Sequence, residues 1–300
     1  MSIPQPPTLT HCYRHPNRET GRHCTRCGKP ACSECLVQAQ VGSHCVDCAK
    51  AARPDVKTRI KYANAKQPAL ITNAIIAINV AVFLWVAAGD FKTLTSGFGG
   101  GGGVSNRQVD LGLNRQILHY GIDGAGRLGN GDNEWYRLVT SGFLHFGILH
   151  IALNMYLLYL LGQLLERELG RTRFALLYMA SLLGGSAGVL LFTDIGISGG
   201  ASGAVFGLMG AAAISMHRQG INIFQTGIGR TLVLNLVITF VLGSSLGISI
   251  GGHIGGVIAG AVCGVVMMAP KWKPFPKWAT YAAPVAVSVL AVVISVVRVG

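Results

Sequence analysis

A serine lies among glycines in the segment Ser198 to Gly207, at the start of a long apolar run. Glycines on both sides of Ser202 allow a sharp backbone turn and a close approach to a ligand or to another helix. A serine hydroxyl in this setting is a candidate nucleophile, provided that a base takes its proton. The alternative is that Gly203 and Gly207 form a small-residue contact between helices, and that Ser202 only takes part in this packing.

A histidine in a later apolar run supplies the candidate base. His253 lies near one end of that run, and imidazole titrates near working pH. Close packing against Gly203 would bring His253 within reach of Ser202. The run contains no Asp or Glu, so we expect a Ser/His dyad whose imidazole is oriented by packing, with Phe206 stacking on it. The close approach is predicted from a four-residue glycine repeat, which comprises Gly252, Gly256, Gly260 and Gly264.

Three more polar side chains, those of His145, His150 and Asn154, occur together in another apolar run. His150 and Asn154 are four residues apart and therefore share one helix face, so both can direct donors at one point. The tetrahedral intermediate of acyl transfer carries an oxyanion, which fixed donors stabilise. The candidates for this oxyanion hole are His150, Asn154 and the backbone N–H of Ser202. His145 points elsewhere and is expected to hold the preceding loop.

The N-terminal segment carries four pairs of metal ligands with one shared spacing, and seven of the eight cysteines lie in its first 50 residues. The first and third pairs along the chain would bind one zinc ion, and the second and fourth pairs would bind another. This pattern predicts two tetrahedral zinc sites in a cross-brace. The segment has too little apolar material for a core, so metal binding would supply most of its folding free energy. The pairs are Cys12/His15, Cys24/Cys27, Cys32/Cys35 and Cys45/Cys48; His11, His23 and His44 are spare ligands, of which His44 can replace Cys45.

A disulfide framework is the alternative interpretation of these cysteines, and it would need an oxidising compartment. The basic residues between Lys57 and Lys66 precede the first apolar run and favour a cytoplasmic N-terminus instead. The N-terminus has no apolar core of the signal-peptide type, so we expect this segment in the mature protein. Over residues 10–50 the spacing resembles a B-box-type zinc finger. The resemblance implies a folding unit, with a protein partner as a further possibility.

The composition indicates that the rest of the chain is embedded in a membrane. Half of the 300 residues are apolar, 12% are charged and 41 are glycine, which is typical of a polytopic membrane protein. The net charge of +13 comes from basic residues beside apolar runs, where it fits the positive-inside bias better than nucleic-acid binding. We therefore expect an all-α, multi-pass protein of the cell membrane, with the lipid bilayer as a partner and no nucleic acid.

Seven apolar runs are predicted to span the membrane. A cytoplasmic start places the serine, the candidate base and both donors at one depth, in the outer half. Between the first two spans, the glycine run 99–103 predicts a flexible insertion. The segment Glu134 to Arg137 predicts an interfacial belt in which two amphipathic rings and the arginine meet the headgroups. A charged loop at 166–173 is expected between the second and third spans. The seven spans cover about residues 69–88, 140–164, 174–192, 202–217, 231–246, 248–269 and 278–297.

Together these motifs resemble the rhomboid family of intramembrane serine proteases. The resemblance covers about residues 69–269. It rests on Gly200-Ala201-Ser202-Gly203, on His145 with His150 and Asn154, on Glu134-Trp135-Tyr136-Arg137, and on His253-Ile254-Gly255-Gly256.

The resemblance implies a six-helix core and cleavage of transmembrane protein substrates near the outer face, with no cofactor for catalysis. Ser202 and His253 would be the catalytic dyad, and His150 and Asn154 would form the oxyanion hole. Phe206 stands where the family often has tyrosine, and the run 99–103 enlarges the first loop. The residues expected to support the site are His145, Gly200, Gly203 and Phe206.

The predicted organisation is a small zinc-binding domain, a linker, the rhomboid-like six-helix core and one C-terminal transmembrane helix. One alternative is a catalytically silent rhomboid-like protein that binds membrane helices, but such proteins typically lack the serine or the histidine. A channel or transporter lined by histidines would need a polar path through the inner halves of the second and sixth spans, and those halves are apolar. The expected boundaries are 1–50 for the cytoplasmic zinc finger, 51–68 for the basic linker, 69–269 for the catalytic core and 270–300 for the seventh helix.

Overall fold

The chain folds into two compact units, Met1–Lys66 and Gln67–Gly300. The basic residues 57–66 and the glycine run 99–103 lie outside the part of the chain that the structure describes. The structure, a computed structural model, describes residues 10–39, 41–53, 69–95, 104–121, 133–192, 196–270 and 272–299.

The N-terminal unit consists of two short antiparallel hairpins and one helical turn. In the second hairpin Leu36 pairs with Cys45, which also caps the helix that follows. The buried cluster of this unit comprises Cys12, Ala31, Cys32 and Cys35, so cysteines take the place of an aliphatic core. The elements are β1 (Thr10–His11), β2 (Glu19–Thr20), a 3₁₀ turn (Ser33–Cys35), β3 (Leu36–Gln38), β4 (Ser43–Cys45) and α1 (Val46–Ala51).

The second unit is helical, and a long helix lies at each of the seven predicted spans. Among the residues that the structure describes, five helices are long and apolar enough to cross a membrane, so this is a multi-pass membrane protein: Leu70–Gly89, Ile148–Leu169, Arg171–Phe192, Ile250–Met267 and Ala279–Val299. Of the other two, Ser202–Arg218 has 17 residues and Gly227–Leu246 contains a shorter apolar stretch. The helices are α2 (Leu70–Gly89), α3 (Asn106–Leu111), α4 (Arg115–Tyr120), α5 (Arg137–Thr140), α6 (Ile148–Leu169), α7 (Arg171–Phe192), α8 (Ser202–Arg218), α9 (Gly227–Leu246), α10 (Ile250–Met267) and α11 (Ala279–Val299).

Helix α8 is buried along most of its length, and α10 packs directly onto its backbone. A Cβ atom added to Gly256 would lie 2.0 Å from the carbonyl oxygen of Gly203, and one added to Gly260 would lie 1.9 Å from that of Gly207. Only glycine permits so close an approach. The predicted contact between the glycine repeat and the fourth span is therefore confirmed.

The second span begins later than predicted. The sequence predicted a span over about 140–164, whereas α6 runs from Ile148 to Leu169. Leu144 is extended and Gly147 has φ 84°, a backbone conformation that a helix does not contain. His145 therefore lies in the loop before α6 rather than in the span. Apolar residues continue through this loop, so hydropathy alone does not mark the start of the helix.

The predicted charged loop at 166–173 is mostly helical. Glu166 belongs to the last turn of α6 and is 4% exposed. Its carboxylate accepts hydrogen bonds from the backbone N–H groups of Ile71 and Thr72, at 2.9 and 2.8 Å, and from the Thr72 hydroxyl at 2.7 Å. The carboxylate thus caps the first turn of α2, where backbone N–H groups have no partner within the helix.

The arginine of the predicted interfacial belt does not lie at the surface. Arg137 is 1% exposed, pairs with the carboxylate of Glu134 and donates to the carbonyl oxygens of Val109 and Gly112. A buried guanidinium needs such partners, because an unpaired charge is costly to desolvate. Arg137 therefore ties α5 to α3 and does not reach toward headgroups. Tyr136, by contrast, is 49% exposed.

Candidate active site and metal centres

Three contacts fix the loop that leads into α8 and so position Ser202, the first residue of that helix. Ser198 exchanges two backbone hydrogen bonds of 2.8 Å with Leu113. The N–H of Gly200 donates to the carbonyl oxygen of Ser141 at 2.8 Å. The N–H of Ala201 donates to Nε2 of His145 at 3.4 Å. His145 therefore links its own loop to the serine loop.

Gly200 keeps open a space between Ser202 and His150. Its φ of 136° lies in a region that residues with a side chain rarely adopt. A Cβ atom there would lie 2.9 Å from Nε2 of His150 and 3.7 Å from Oγ of Ser202, so both atoms border one point. Nδ1 of His150 accepts from the N–H of Phe146 at 3.3 Å, and a neutral ring then carries its proton on Nε2. His150 thus turns a donor toward this space.

Asn154 lies one turn along α6 from His150, and both side chains are buried. The Asn154 amide nitrogen donates one hydrogen to the backbone carbonyl of His150 at 2.9 Å. An amide group carries two such hydrogens, so one remains to donate to a ligand. Ser202 adds its own N–H, because the first residues of a helix have no intrahelical acceptor. The helix dipole of α8 favours negative charge at the same end.

The imidazole of His253 is held on two sides. The ring of Phe206 stacks on it, with 4.0 Å between ring centroids and 15° between planes. This is the stacking that the sequence predicted. On the other side, Nδ1 of His253 lies 2.9 Å from Oγ1 of Thr239, on α9. Nothing in the sequence singles out Thr239, because a threonine in an apolar helix commonly bonds only to its own backbone.

Ser202, His253, His150 and Asn154 all line one cavity of about 320 Å³. Its described lining contains no Asp or Glu. A second void of about 50 Å³ also borders Ser202, His253 and Ser249, and it adds Ser186. The arrangement places a hydroxyl, an imidazole and several donors around one space, as acyl transfer requires. The polar and aromatic groups that line the larger cavity include Ser202, His253, His150, Asn154, Phe206 and Thr239.

The cysteine and histidine pairs of the N-terminal unit form two groups, combined as predicted, and within each group the ligand atoms lie within 4.8 Å of one another. The second group contains Cys45 and not His44. None of the seven cysteines of this unit forms a disulfide, so the structure does not support the alternative of a disulfide framework. The groups are Cys12, His15, Cys32 and Cys35, and Cys24, Cys27, Cys45 and Cys48.

The spacing of these ligand atoms suits a tetrahedral zinc ion. Zn–S bonds of about 2.3 Å and Zn–N bonds of about 2.0 Å give edges of roughly 3.5–3.8 Å. The measured separations are 3.9, 3.5 and 3.4 Å from His15 Nδ1 to the Cys12, Cys32 and Cys35 sulfurs, and 3.7 Å between the Cys27 and Cys45 sulfurs. Both groups are therefore capable of binding zinc.

Hydrogen bonds from the backbone favour ionisation of Cys12 and Cys24, whereas the pKa of Cys35 is raised to about 11 and that of Cys48 to about 12. The N–H of Cys45 donates to the Cys24 sulfur at 3.0 Å. Burial raises the pKa of Cys24, but hydrogen bonds from the backbone of Cys45, Cys27 and Arg26 outweigh it and lower that pKa to about 6. The thiolate is the form that binds metal, so these hydrogen bonds favour the ligand state of Cys24.

Part of the helical unit is similar to known proteins. Residues 132–270 match the rhomboid domain family. The chain is 51% identical over 79 residues to RHOMBOID-like protein 1 of Arabidopsis thaliana, covering 26% of this chain and 20% of the relative. It is 39% identical over 106 residues to the rhomboid protease GluP of Bacillus subtilis, covering 34% and 21%. It is 40% identical over 84 residues to the putative rhomboid protease YdcA of the same bacterium, covering 28% and 42%.

The matched region contains the serine loop, α6 to α10 and every side chain around the cavity. This part of the chain is therefore similar to proteins of the rhomboid family. The chain spans less than half the length of the curated relatives named above.

Proposed function

We propose that this chain is an intramembrane serine endopeptidase that cleaves transmembrane protein substrates near the outer membrane face. The observation that supports it most is that Ser202 and His253 border one cavity together with the donors of α6. Relatives named as rhomboid proteases support the same reaction class.

In the proposed reaction, Oγ of Ser202 attacks the carbonyl carbon of the scissile peptide, and its proton passes to Nε2 of His253. The imidazolium then protonates the leaving amine, which departs and leaves an acyl-enzyme. A water molecule, deprotonated by the same imidazole, hydrolyses this ester and restores the Ser202 hydroxyl. The base therefore serves each step in turn, and no cofactor is needed.

The negative oxygen of each tetrahedral intermediate would lie in the space that Gly200 leaves open. Nε2–H of His150, the free amide hydrogen of Asn154 and the N–H of Ser202 would donate to it. Donors fixed before the reaction are effective because they need no reorganisation as charge develops. A side chain at position 200 would fill this space, which accounts for the glycine.

The dyad is tested with purified full-length protein in detergent, using a fluorophosphonate probe and a panel of single-span substrates. The probe should label wild-type protein at Ser202, and Ser202→Ala should abolish labelling and cleavage. His253→Ala should lower cleavage almost as much as Ser202→Ala does. The double variant should cleave little more slowly than either single variant, because the effects of residues in one catalytic unit are not additive. Cleavage by Ser202→Ala with unchanged fragment ends would refute the protease and favour a silent, helix-binding rhomboid-like protein.

We further propose that the catalytic core covers 69–269, preceded by a cytoplasmic zinc finger (1–50) and a basic linker (51–68) and followed by a seventh transmembrane helix (270–300). Location in the cell membrane with the N-terminus inside would place Ser202 near the outer face. A reporter fused after Lys66 should then be cytoplasmic, and one placed in the run 99–103 should be outside. The reverse result would put the site on the opposite face.

We propose two zinc ions in the N-terminal unit, one for each ligand group. Their role is structural, because each set of four protein ligands leaves no open position for a reacting water. A protein partner of this unit, for regulation or substrate delivery, fits the resemblance to a B-box-type finger.

A further inference from the structure

One polar side chain of α9 reaches the proposed base. Thr239 is 2% exposed, and its Oγ1 lies 2.9 Å from Nδ1 of His253 on the neighbouring helix. The opposite side of α9 is apolar and open, with Val237, Phe240 and Val241 each more than half exposed. Thr239 therefore lies on the face of α9 that turns toward the cavity.

Stacking by Phe206 leaves part of the orientation of His253 undetermined. A stacked ring at 4.0 Å fixes the plane of the imidazole. It permits the ring to turn within that plane, and it does not select which nitrogen carries the proton. A base for Ser202 needs the lone pair on Nε2 and therefore the proton on Nδ1. A hydrogen-bond acceptor at Nδ1 meets both needs.

We propose that Thr239 is a positioning residue for His253, an uncharged third member beside the Ser202/His253 dyad. This inference rests on the proposed function. The hydroxyl oxygen accepts the Nδ1–H bond, which holds the ring in place and leaves the Nε2 lone pair for the serine proton. Nδ1 keeps its hydrogen when Nε2 becomes protonated, so the same bond persists through the reaction.

A threonine hydroxyl differs from a carboxylate in that it carries no charge. It orients the ring but adds little attraction for the imidazolium, so its removal should cost less than the loss of a triad aspartate, which is about 10⁴-fold in a soluble serine protease. Partners that orient a histidine through hydrogen bonds usually contribute about 10- to 100-fold.

The position of the base also depends on how α9 sits against α10. The connection between them is short, and the N–H of Ile248 donates to the carbonyl oxygen of Gly243 at 2.8 Å. A Cβ atom at Gly243 would already lie 3.3 Å from the Ile250 side chain. These contacts hold Thr239 at hydrogen-bond distance from the imidazole.

The test uses Thr239→Val, which keeps the shape and removes the hydroxyl, and Thr239→Ser, which keeps the hydroxyl. Thr231→Val is the matched control, since that hydroxyl on the same helix donates to the Gly227 carbonyl at 3.0 Å. Full-length proteins in detergent are compared for kcat and KM on a substrate that the wild type cleaves, and for the rate of fluorophosphonate labelling.

Thr239→Val should lower kcat and the labelling rate together by about 10- to 100-fold, with KM within about twofold. Thr239→Ser should recover kcat to within about threefold, and Thr231→Val should match the wild type. Wild-type kcat in Thr239→Val would overturn the inference, as would a change in KM alone or a serine variant as slow as the valine one. Faster cleavage by Thr239→Val would mean that the hydroxyl donates to Nδ1, which also overturns it.

Two further measurements distinguish a failure of the positioning role from a failure of the proposed function. Ser202→Ala is assayed in parallel: if it still cleaves, the proposed function fails, whereas an inactive Ser202→Ala beside a fully active Thr239→Val refutes only the positioning role. Independently of any Thr239 variant, ¹⁵N-histidine NMR of the wild type should show His253 protonated on Nδ1, with the signal assigned by its loss in His253→Gln. A neutral ring protonated on Nε2 would contradict the inference.

Discussion

In the N-terminal unit the chemically active side chains are themselves the core, whereas in the helical unit they line a cavity in a core that other residues build. The buried cluster of the first unit includes Cys12, Cys32 and Cys35. In the second unit, glycine contacts between α8 and α10 and apolar packing surround the site without using its hydroxyl or imidazole. Removing the active groups should therefore unfold the first unit and leave the second folded but inactive.

The sharpest test of this difference is removal of metal. We expect about two zinc ions per chain by elemental analysis, and structural zinc contributes about 10–16 kcal/mol to the folding of small fingers. Chelation should therefore open the N-terminal unit to trypsin. The helical unit should be unaffected, and its fluorescence reports this directly because it holds all four tryptophans, Trp85, Trp135, Trp272 and Trp278.

Two results would contradict this expectation. An N-terminal unit that resists trypsin equally with and without chelator would not be folded by metal. A loss of tryptophan signal on chelation would mean that the two units do not respond independently.

The opposite test is a change in the scaffold of the helical unit. Gly260→Ala places a methyl group 1.9 Å from the carbonyl oxygen of Gly207, and a backbone atom cannot give way without separating α8 from α10. We expect a loss of about 4 kcal/mol, at the upper end for single substitutions, seen as a lower midpoint of thermal unfolding in detergent. Gly227→Ala is the control, because a Cβ there meets nothing within 4 Å. Equal midpoints for both variants would show that the glycine contact does not hold the core.

A third test separates a site residue from a scaffold residue of the same type. Asn154 and Asn79 are both buried, and each donates to the carbonyl oxygen four residues earlier, at 2.9 and 2.8 Å. Asn154→Ala should lower kcat about 10²-fold to 10³-fold, because it removes one oxyanion donor. Asn79→Ala should lower the unfolding midpoint and leave kcat per folded molecule unchanged. Similar kcat values for the two variants would remove Asn154 from the oxyanion hole.

The sequence was sufficient to predict the features that depend on local spacing. The pairs of ligands three residues apart, the glycines four residues apart and the seven apolar runs each follow a short-range rule, and each has its counterpart in the structure. The proximity of Ser202 and His253 followed from the glycine repeat, because a close helix contact on one face sets which neighbouring residues meet.

Features that join distant segments could not be predicted in the same way. The Glu166 carboxylate caps a helix that begins 96 residues earlier at Leu70, and its neighbours Arg167 and Glu168 made it look like part of a surface loop. From its sequence neighbours Arg137 resembles a headgroup anchor, and only the fold brings the loop carbonyls close to its guanidinium. Thr239 is one hydroxyl in an apolar run, and only the placement of α9 beside α10 shows that it faces the base.

The smallest expected effect concerns Phe206, whose ring lies 4.0 Å from the imidazole of His253. The resemblance to the family raises the question of whether a tyrosine hydroxyl is missing here. Because Thr239 already holds Nδ1 and the aromatic ring already stacks, Phe206→Tyr should change kcat by no more than a few fold. Phe206→Leu should cost about tenfold, since it keeps apolar volume but loses the planar contact. Both are measured as kcat on one substrate with fluorophosphonate labelling as a check. A large gain in the tyrosine variant would show that Thr239 and the phenyl ring together leave the base incompletely oriented.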